Sequence, residues 1–124
     1  MCNFAGFQPP EMTKNRLVVV LTHKRPQIAT VVPISATEPN TIENWHHELD
    51  KKSLPQRFRD QRSWAKCDMV TTVSLSRLDR IMLRKNKYGQ RTYGIHQVSN
   101  EDLEAIQRGV LETFGLAHLI LTKK

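Results

Sequence analysis

The chain has 124 residues, 39% of them hydrophobic and 25% charged, with nineteen Lys and Arg against twelve Asp and Glu for a net charge of +7. That length suits one domain, residues 1–124, with one modest core, and the composition argues against wholesale disorder. The longest apolar run, Leu17 to Leu21, is too short to cross a membrane, no leader pattern opens the chain, and two cysteines, Cys2 and Cys67, make neither a disulfide framework nor a four-ligand zinc site, so a reducing cytoplasm is expected.

The positive charge is uneven. Residues 41–100 hold twelve of the basic residues and six of the acidic ones. A small basic domain of this kind points to a polyanionic partner such as RNA, DNA or an acidic protein segment.

Residues 5–15 carry Gly6, Pro9, Pro10 and Asn15 and read as a loop. Leu17 to Leu21 is β-branched and apolar and predicts a buried strand. Gln27 to Ile34 repeats the pattern after the basic turn Lys24-Arg25-Pro26, so the two predict a hairpin. Asn44 to Leu49 predicts a third strand, and 50–62 a short surface helix from the spacing of Leu54, Phe58 and Arg62. Ser63 to Val73 alternates and predicts a long strand, with Trp64, Lys66, Asp68 and Val70 on one face and Ala65, Cys67, Met69 and Thr71 on the other. A turn over Val73 to Leu78 leads to a strand around Asp79 to Leu83, and Asn86 to Gly89 is a loop.

Ser99 predicts a helix cap, with Asp102 as the acidic side of a capping-box-like arrangement. Leu103, Ile106, Val110, Leu111 and Phe114 form one apolar face, and Gly115 is the stop. Strands without alternating helices, followed by one helix, predict a mainly β domain: a small barrel over about 1–98, a helix over about 100–114 and a tail.

There is no G-x-x-x-x-G-K, no G-x-G-x-x-G and no Cys-x-x-Cys, so no nucleotide cofactor or structural zinc is implied. His46 and His47 are adjacent, and in a strand their rings point to opposite faces and cannot easily share a metal. Cys67 has no motif-placed His and reads as a core thiol. The stronger constellation is Arg16, just before the first apolar strand, Ser35, just after the second, and Asp68. Arg16 and Ser35 fall at the open end of the hairpin, where a planar guanidinium and a hydroxyl make a phosphate site.

The runs Lys14-Asn15-Arg16-Leu17-Val18-Val19-Val20, Thr30-Val31-Val32-Pro33-Ile34-Ser35-Ala36-Thr37 and Ser63-Trp64-Ala65-Lys66-Cys67-Asp68-Met69-Val70-Thr71-Thr72-Val73-Ser74, with Arg77-Leu78, resemble the PemK/MazF family of toxin endoribonucleases, in the family's order and over roughly residues 1 to 83. The resemblance implies an SH3-like β-barrel, usually dimeric, that cleaves single-stranded RNA without a metal or cofactor and is neutralised by a partner antitoxin. It implies Arg16 as the catalytic arginine, Ser35 as its hydroxyl partner, Glu11 as the acidic residue of a mobile loop, Asp68 as a further acidic catalytic position, and Lys66 where some members carry a working arginine. Two departures stand out. Leu17 follows Arg16 where the family has Pro, and the chain starts at Met1-Cys2-Asn3-Phe4, near the end of the family's first strand.

The expected activity is therefore attack of the RNA's own 2′-hydroxyl on phosphorus, with Glu11 as first general-base candidate and Asp68 as second. RNA contacts are expected from Lys14, Lys66, His23, Thr37 and Trp45, with Trp64 and Phe58 as further stacking surfaces. For both tryptophans, core or dimer packing is the favoured alternative. Two other readings stand beside this one: a non-catalytic binding module on the same barrel, holding RNA or a protein as a gyrase-poisoning relative does, and a DNA-binding regulator. The capped helix, acidic at its start and with only Arg108 inside it, makes a poor groove reader.

Overall fold

The computed structural model describes the chain except residues 10–14, 23–24, 80, 86, 95 and 120–124, and residues 81–85 and 91–94 by their backbone pairing. The Glu11, Lys14 and His23 assignments fall outside the described residues.

The strands are β1 (Val18–Thr22), β2 (Ile28–Ser35), β3 (His46–Glu48), β4 (Trp64–Lys66), β5 (Thr71–Ser74), β6 (Ile81–Lys85) and β7 (Arg91–Gly94), followed by the helix α1 (Asn100–Thr113). The order β1-β2-β4-β3, with β5 also on β2, makes a five-stranded antiparallel sheet, and β6-β7 is a separate hairpin. Among the described residues these ladders form an open sheet, not a closed barrel. Cys2 partly bridges the gap: its N–H donates to Arg16 O at 2.8 Å, its carbonyl accepts from Arg16 N at 3.1 Å, and it also pairs with Leu78.

β2 organises the sheet. One edge pairs with β1, Val18 opposite Pro33 and Val20 opposite Val31. The other edge is shared, with β5 against Ile28 to Val31 and β4 against Ile34 and Ser35. Pro33 sits where the partner changes, so its missing N–H leaves no gap in a ladder. Apolar side chains cover both faces. Val32 and Ile34 join Leu17, Val19, Leu54 and Ile106 on the helix side, and Ala29 and Val31 join Cys2, Phe4 and Val73 on the other. That two-sided burial is why β2 reads as a continuous apolar run.

Three expectations change. The helix expected over 50–62 is two 3-10 turns, Lys51–Ser53 and Gln56–Phe58, because Pro55 holds Leu54 in an extended conformation. Leu54 is buried in the core, not on a surface helix. The long strand over 63–73 is broken by a 3-10 turn, Cys67–Met69. Ile34 faces Ala65 while Val31 faces Thr71, so three steps along β2 must be matched to six along the other chain, and the surplus residues leave the sheet. The strand expected around 79–83 runs instead from Ile81 to Lys85, and its partner β7 was not foreseen.

α1 begins as expected, with Ser99 Oγ accepting from the Asp102 N–H at 3.2 Å, but the reciprocal half of the box differs. The Ser99 N–H donates to Ser53 Oγ at 2.9 Å, and the Asp102 carboxylate turns inward. The helix ends in a Schellman arrangement: Leu116 N donates to Leu111 O at 2.8 Å and Gly115 N, at a φ of 70°, to Glu112 O at 3.0 Å. Ile106 enters the core, whereas Phe114 is exposed.

Gly109 is where α1 meets the Cys67 turn. A Cβ there would stand 2.7 Å from Cys67 Sγ and 3.1 Å from Cys67 Cβ. Gly109→Ala gains about 1 kcal/mol of helix propensity, but overpacking costs about 1–3 kcal/mol. A net loss is expected in denaturant unfolding, and adding Cys67→Ala should recover part of it, a non-additive pair. A Gly109→Ala protein at least as stable as the parent would show that the helix shifts freely.

Candidate active site

Arg16 stands at the entrance of β1. The bond from Ile34 N to Leu17 O, 2.9 Å, continues the β1–β2 ladder past Val18. The next position in that register sets Arg16 opposite Ser35, a pair without mutual backbone bonds, in which side chains stand close. Ser35 is in turn opposite Trp64, and Trp64 opposite Glu48. Residues opposite one another share a face, so Arg16, Ser35, Trp64 and Glu48 form a row across four strands, on the face away from α1.

Each member of the row is held. The Arg16 backbone is fixed by its two bonds to Cys2, and its Nε is buried with no hydrogen-bond partner among the described residues. Ser35 is 5% exposed, and its Oγ accepts from the Thr37 N–H at 3.1 Å. That bond uses a lone pair and leaves the hydroxyl proton available to a ligand. Trp64 is 4% exposed, and its Nε1 likewise has no partner among the described residues. Beyond it Arg62 donates to Glu48 through Nε at 2.7 Å and Nη2 at 2.9 Å, approaches Glu38 at 3.8 Å, and lays its guanidinium 5.2 Å from the Trp64 ring centroid. The hydrogen bond from Arg62 holds the Glu48 carboxyl below its ordinary range. Arg62 was not singled out as a site residue from the sequence, because its place depends on the pairing of β3 with β4.

Asp68 is not in a strand. It is exposed in the Cys67–Met69 turn, past the end of β4 remote from Trp64 and Ser35. Lys66 is half-buried opposite His46, on the face of the row but two residues further along β4. Thr37 is exposed beside Ser35. Trp45 is half-buried and packs partly on the helix-side core, and Trp64 is buried, so neither presents a free stacking face. Phe58 is half-buried too, with the Arg57 guanidinium over its ring. Burial pushes the Cys67 thiol up to about 12, with the Asp68 charge adding to the effect, so it is protonated at neutral pH and is a packing group.

His46 and His47 do take opposite faces. His46 Nδ1 accepts from the Glu43 N–H at 3.0 Å, and His47 turns to the helix side. There Asp102 Oδ1 accepts from His47 Nε2 at 2.8 Å, while Oδ2 accepts from the Asp50 N–H at 3.0 Å and from Ser53 Oγ. Among the described residues no group of three or more His, Cys, Asp or Glu can hold a metal, and no helix is long and apolar enough to cross a membrane.

The chain is similar in sequence and in fold to known proteins. Residues 1–114 match the family described as PemK-like, MazF-like toxin of type II toxin-antitoxin system. The chain is 37% identical over 125 residues to the putative uncharacterized protein YifN of Escherichia coli (strain K12), covering 94% of this chain and 78% of that protein. It is 31% identical over 123 residues to an uncharacterized protein of Haemophilus influenzae, covering 96% and 82%. Among solved structures, the Mycobacterium tuberculosis toxin MazF-mt6 superposes with a TM-score of 0.59 at 20% identity, covering 86% of this chain and 92% of the toxin, a likeness of fold.

Proposed function

This chain belongs to the PemK-like, MazF-like toxins of type II toxin-antitoxin systems, and on that footing we propose that it is an endoribonuclease that cuts single-stranded RNA. The 2′-hydroxyl attacks the adjacent phosphorus, the bond to the 5′ oxygen breaks, and the products are a 2′,3′-cyclic phosphate and a 5′-hydroxyl. Such a reaction needs a base for the 2′-OH proton, charge stabilisation on the phosphorane and a proton for the leaving oxygen. Arg16 supplies charge and donates to the phosphate and the leaving oxygen. Ser35 donates its free proton to a phosphate oxygen. Glu11 is the base, with Asp68 as the second candidate. Neither metal nor cofactor takes part. Lys14, Lys66, His23 and Thr37 are the proposed RNA contacts, and Trp45, packed on the helix-side core, is not among them.

One observation supports this reading above the others: a buried guanidinium N–H in register with a hydroxyl, neither proton having an acceptor among the described residues. The enzyme acts in the cytoplasm as a homodimer. An antitoxin controls it through an acidic segment that folds across Arg16 and Ser35, drawn by the net charge of +7.

The test is incubation of the purified chain with mixed RNA in excess chelator, followed by mapping of the ends. Cyclic phosphate and 5′-hydroxyl ends are expected. RNA that is bound but not cut would instead indicate a binding module. Ser35→Ala should lower cleavage about ten- to a hundredfold, since one hydrogen bond to a charged acceptor contributes about 1.5–3 kcal/mol. A loss larger than that of Arg16→Ala would reverse the two roles.

A further inference from the structure

The row on the sheet holds two buried N–H groups with no acceptor among the described residues, Arg16 Nε and Trp64 Nε1. Trp64 pairs opposite Ser35 on one side, and extending the β1–β2 ladder past Leu17 brings Arg16 to its other side. Leaving a buried donor unpaired costs about 1–3 kcal/mol, and a buried tryptophan normally finds a partner for its N–H. The nearby carboxylates do not serve, because Glu48 and Glu38 are engaged with Arg62. Two buried N–H donors and the Ser35 hydroxyl therefore share one face, with no acceptor for the two N–H groups among the described residues.

We infer that Trp64 is a further substrate-binding residue, its indole N–H donating to a non-bridging oxygen of the RNA phosphate held by Arg16 and Ser35. The inference rests on the RNA-cleaving reading and adds a contact to its site. An indole N–H is donor only, so it suits an acceptor-only anion such as a phosphodiester. Part of the cover over the indole is the Arg62 guanidinium, which is exposed and, among the described residues, paired with exposed carboxylates. Water reaches both partners of that bidentate pair and competes for them, so Arg62 can turn aside for the RNA, or follow Trp64 onto the same phosphate.

The test compares wild type with Trp64→Phe, which keeps a ring and removes the N–H. Binding is measured to an RNA made uncleavable by a 2′-deoxy group at the cut site, and to the same strand with each methylphosphonate diastereomer there. Trp64→Phe should weaken binding of the phosphodiester about tenfold, in the range of a hydrogen bond to a charged acceptor. With the diastereomer that lacks the oxygen facing Trp64, the two proteins should differ less than about twofold, because the acceptor is then already gone. A measurement on the wild type serves even if the variant folds poorly. With two tryptophans in the chain, the Trp64 indole N–H resonance is assigned in a Trp45→Phe background. It should move downfield when the uncleavable RNA is added.

Equal weakening for all three strands would assign Trp64 to packing alone and overturn the inference. So would an unmoved indole resonance in a protein that binds RNA. Cleavage by wild type with no effect of Trp64→Phe sinks this contact and leaves the proposed function standing. A wild type that neither binds nor cuts RNA ends the RNA reading itself.

Discussion

Arg16→Ala is expected to lower RNA cleavage by at least about a hundredfold, the range seen when one donor to a developing transition-state charge is removed. The reasoning is electrostatic. Arginine stays charged at every working pH and presents a rigid planar fork to phosphate oxygens. Here its backbone is clamped by Cys2 on one side, and its Nε is already withdrawn from water. A donor so preorganised needs little rearrangement as charge builds on the phosphorane. Arg16→Lys should recover only a small part of the rate, because a lysine lacks the paired donors. The measurement is single-turnover cleavage of one short RNA at saturating enzyme, with circular dichroism to confirm the fold. Full activity in Arg16→Ala would remove Arg16 from the chemistry.

The largest effect on stability is expected at Asp102. It is 5% exposed, and its carboxylate accepts from the His47 ring at 2.8 Å, the Asp50 N–H at 3.0 Å and the Ser53 hydroxyl. It thereby ties the first turn of α1 to β3 and to the turn at Lys51–Ser53. Asp102→Ala leaves three donors without their acceptor, at about 1–3 kcal/mol for each that water cannot reach. A total of about 3–5 kcal/mol is expected, a large share of the roughly 5–15 kcal/mol that holds a domain together. Thermal unfolding should shift down by roughly 10–20 °C for a chain of this size. A loss under about 1 kcal/mol would show that water replaces the carboxylate.

The same group sets an acid limit. Burial alone raises the Asp102 pKa, but the bonds from Ser53, His47 and the Asp50 N–H outweigh it and hold the carboxyl below its ordinary value. Because the folded value lies below the unfolded one of about 3.9, the contribution is complete above about pH 4. It disappears as pH falls through the lower, folded-state value. Denaturant unfolding from pH 6 to pH 2 should show that decline in wild type and a flatter acid limb in Asp102→Asn. Asp102 faces the helix side and not the Arg16 row, so cleavage per folded molecule should persist in both variants.

Local chemistry made much of this protein legible before its fold was known. The β-branched runs on either side of Lys24-Arg25-Pro26 predict the β1–β2 hairpin with Arg16 and Ser35 at its open end, but the bulge between Val20 and Thr22 that sets their register carries no such local signal. Ser99 and Gly115 mark both ends of α1, since a cap is a bond between residues a few positions apart. What alternation could not show is which strand lies beside which. Ser63 to Val73 alternates throughout, yet β2 must take β4 and β5 along one edge in two registers. That requirement expels Cys67–Met69 from the sheet and puts Asp68 in an exposed turn. Likewise Trp64 beside Ser35, Arg62 over Trp64, and Ser53 and His47 on Asp102 join residues from separate strands and turns. Sequence periodicity specifies the face a residue takes relative to its neighbours in the chain. The partner across that face is chosen only when both sides of β2 are packed, because burial of its two apolar layers outweighs any preference of the shorter segments.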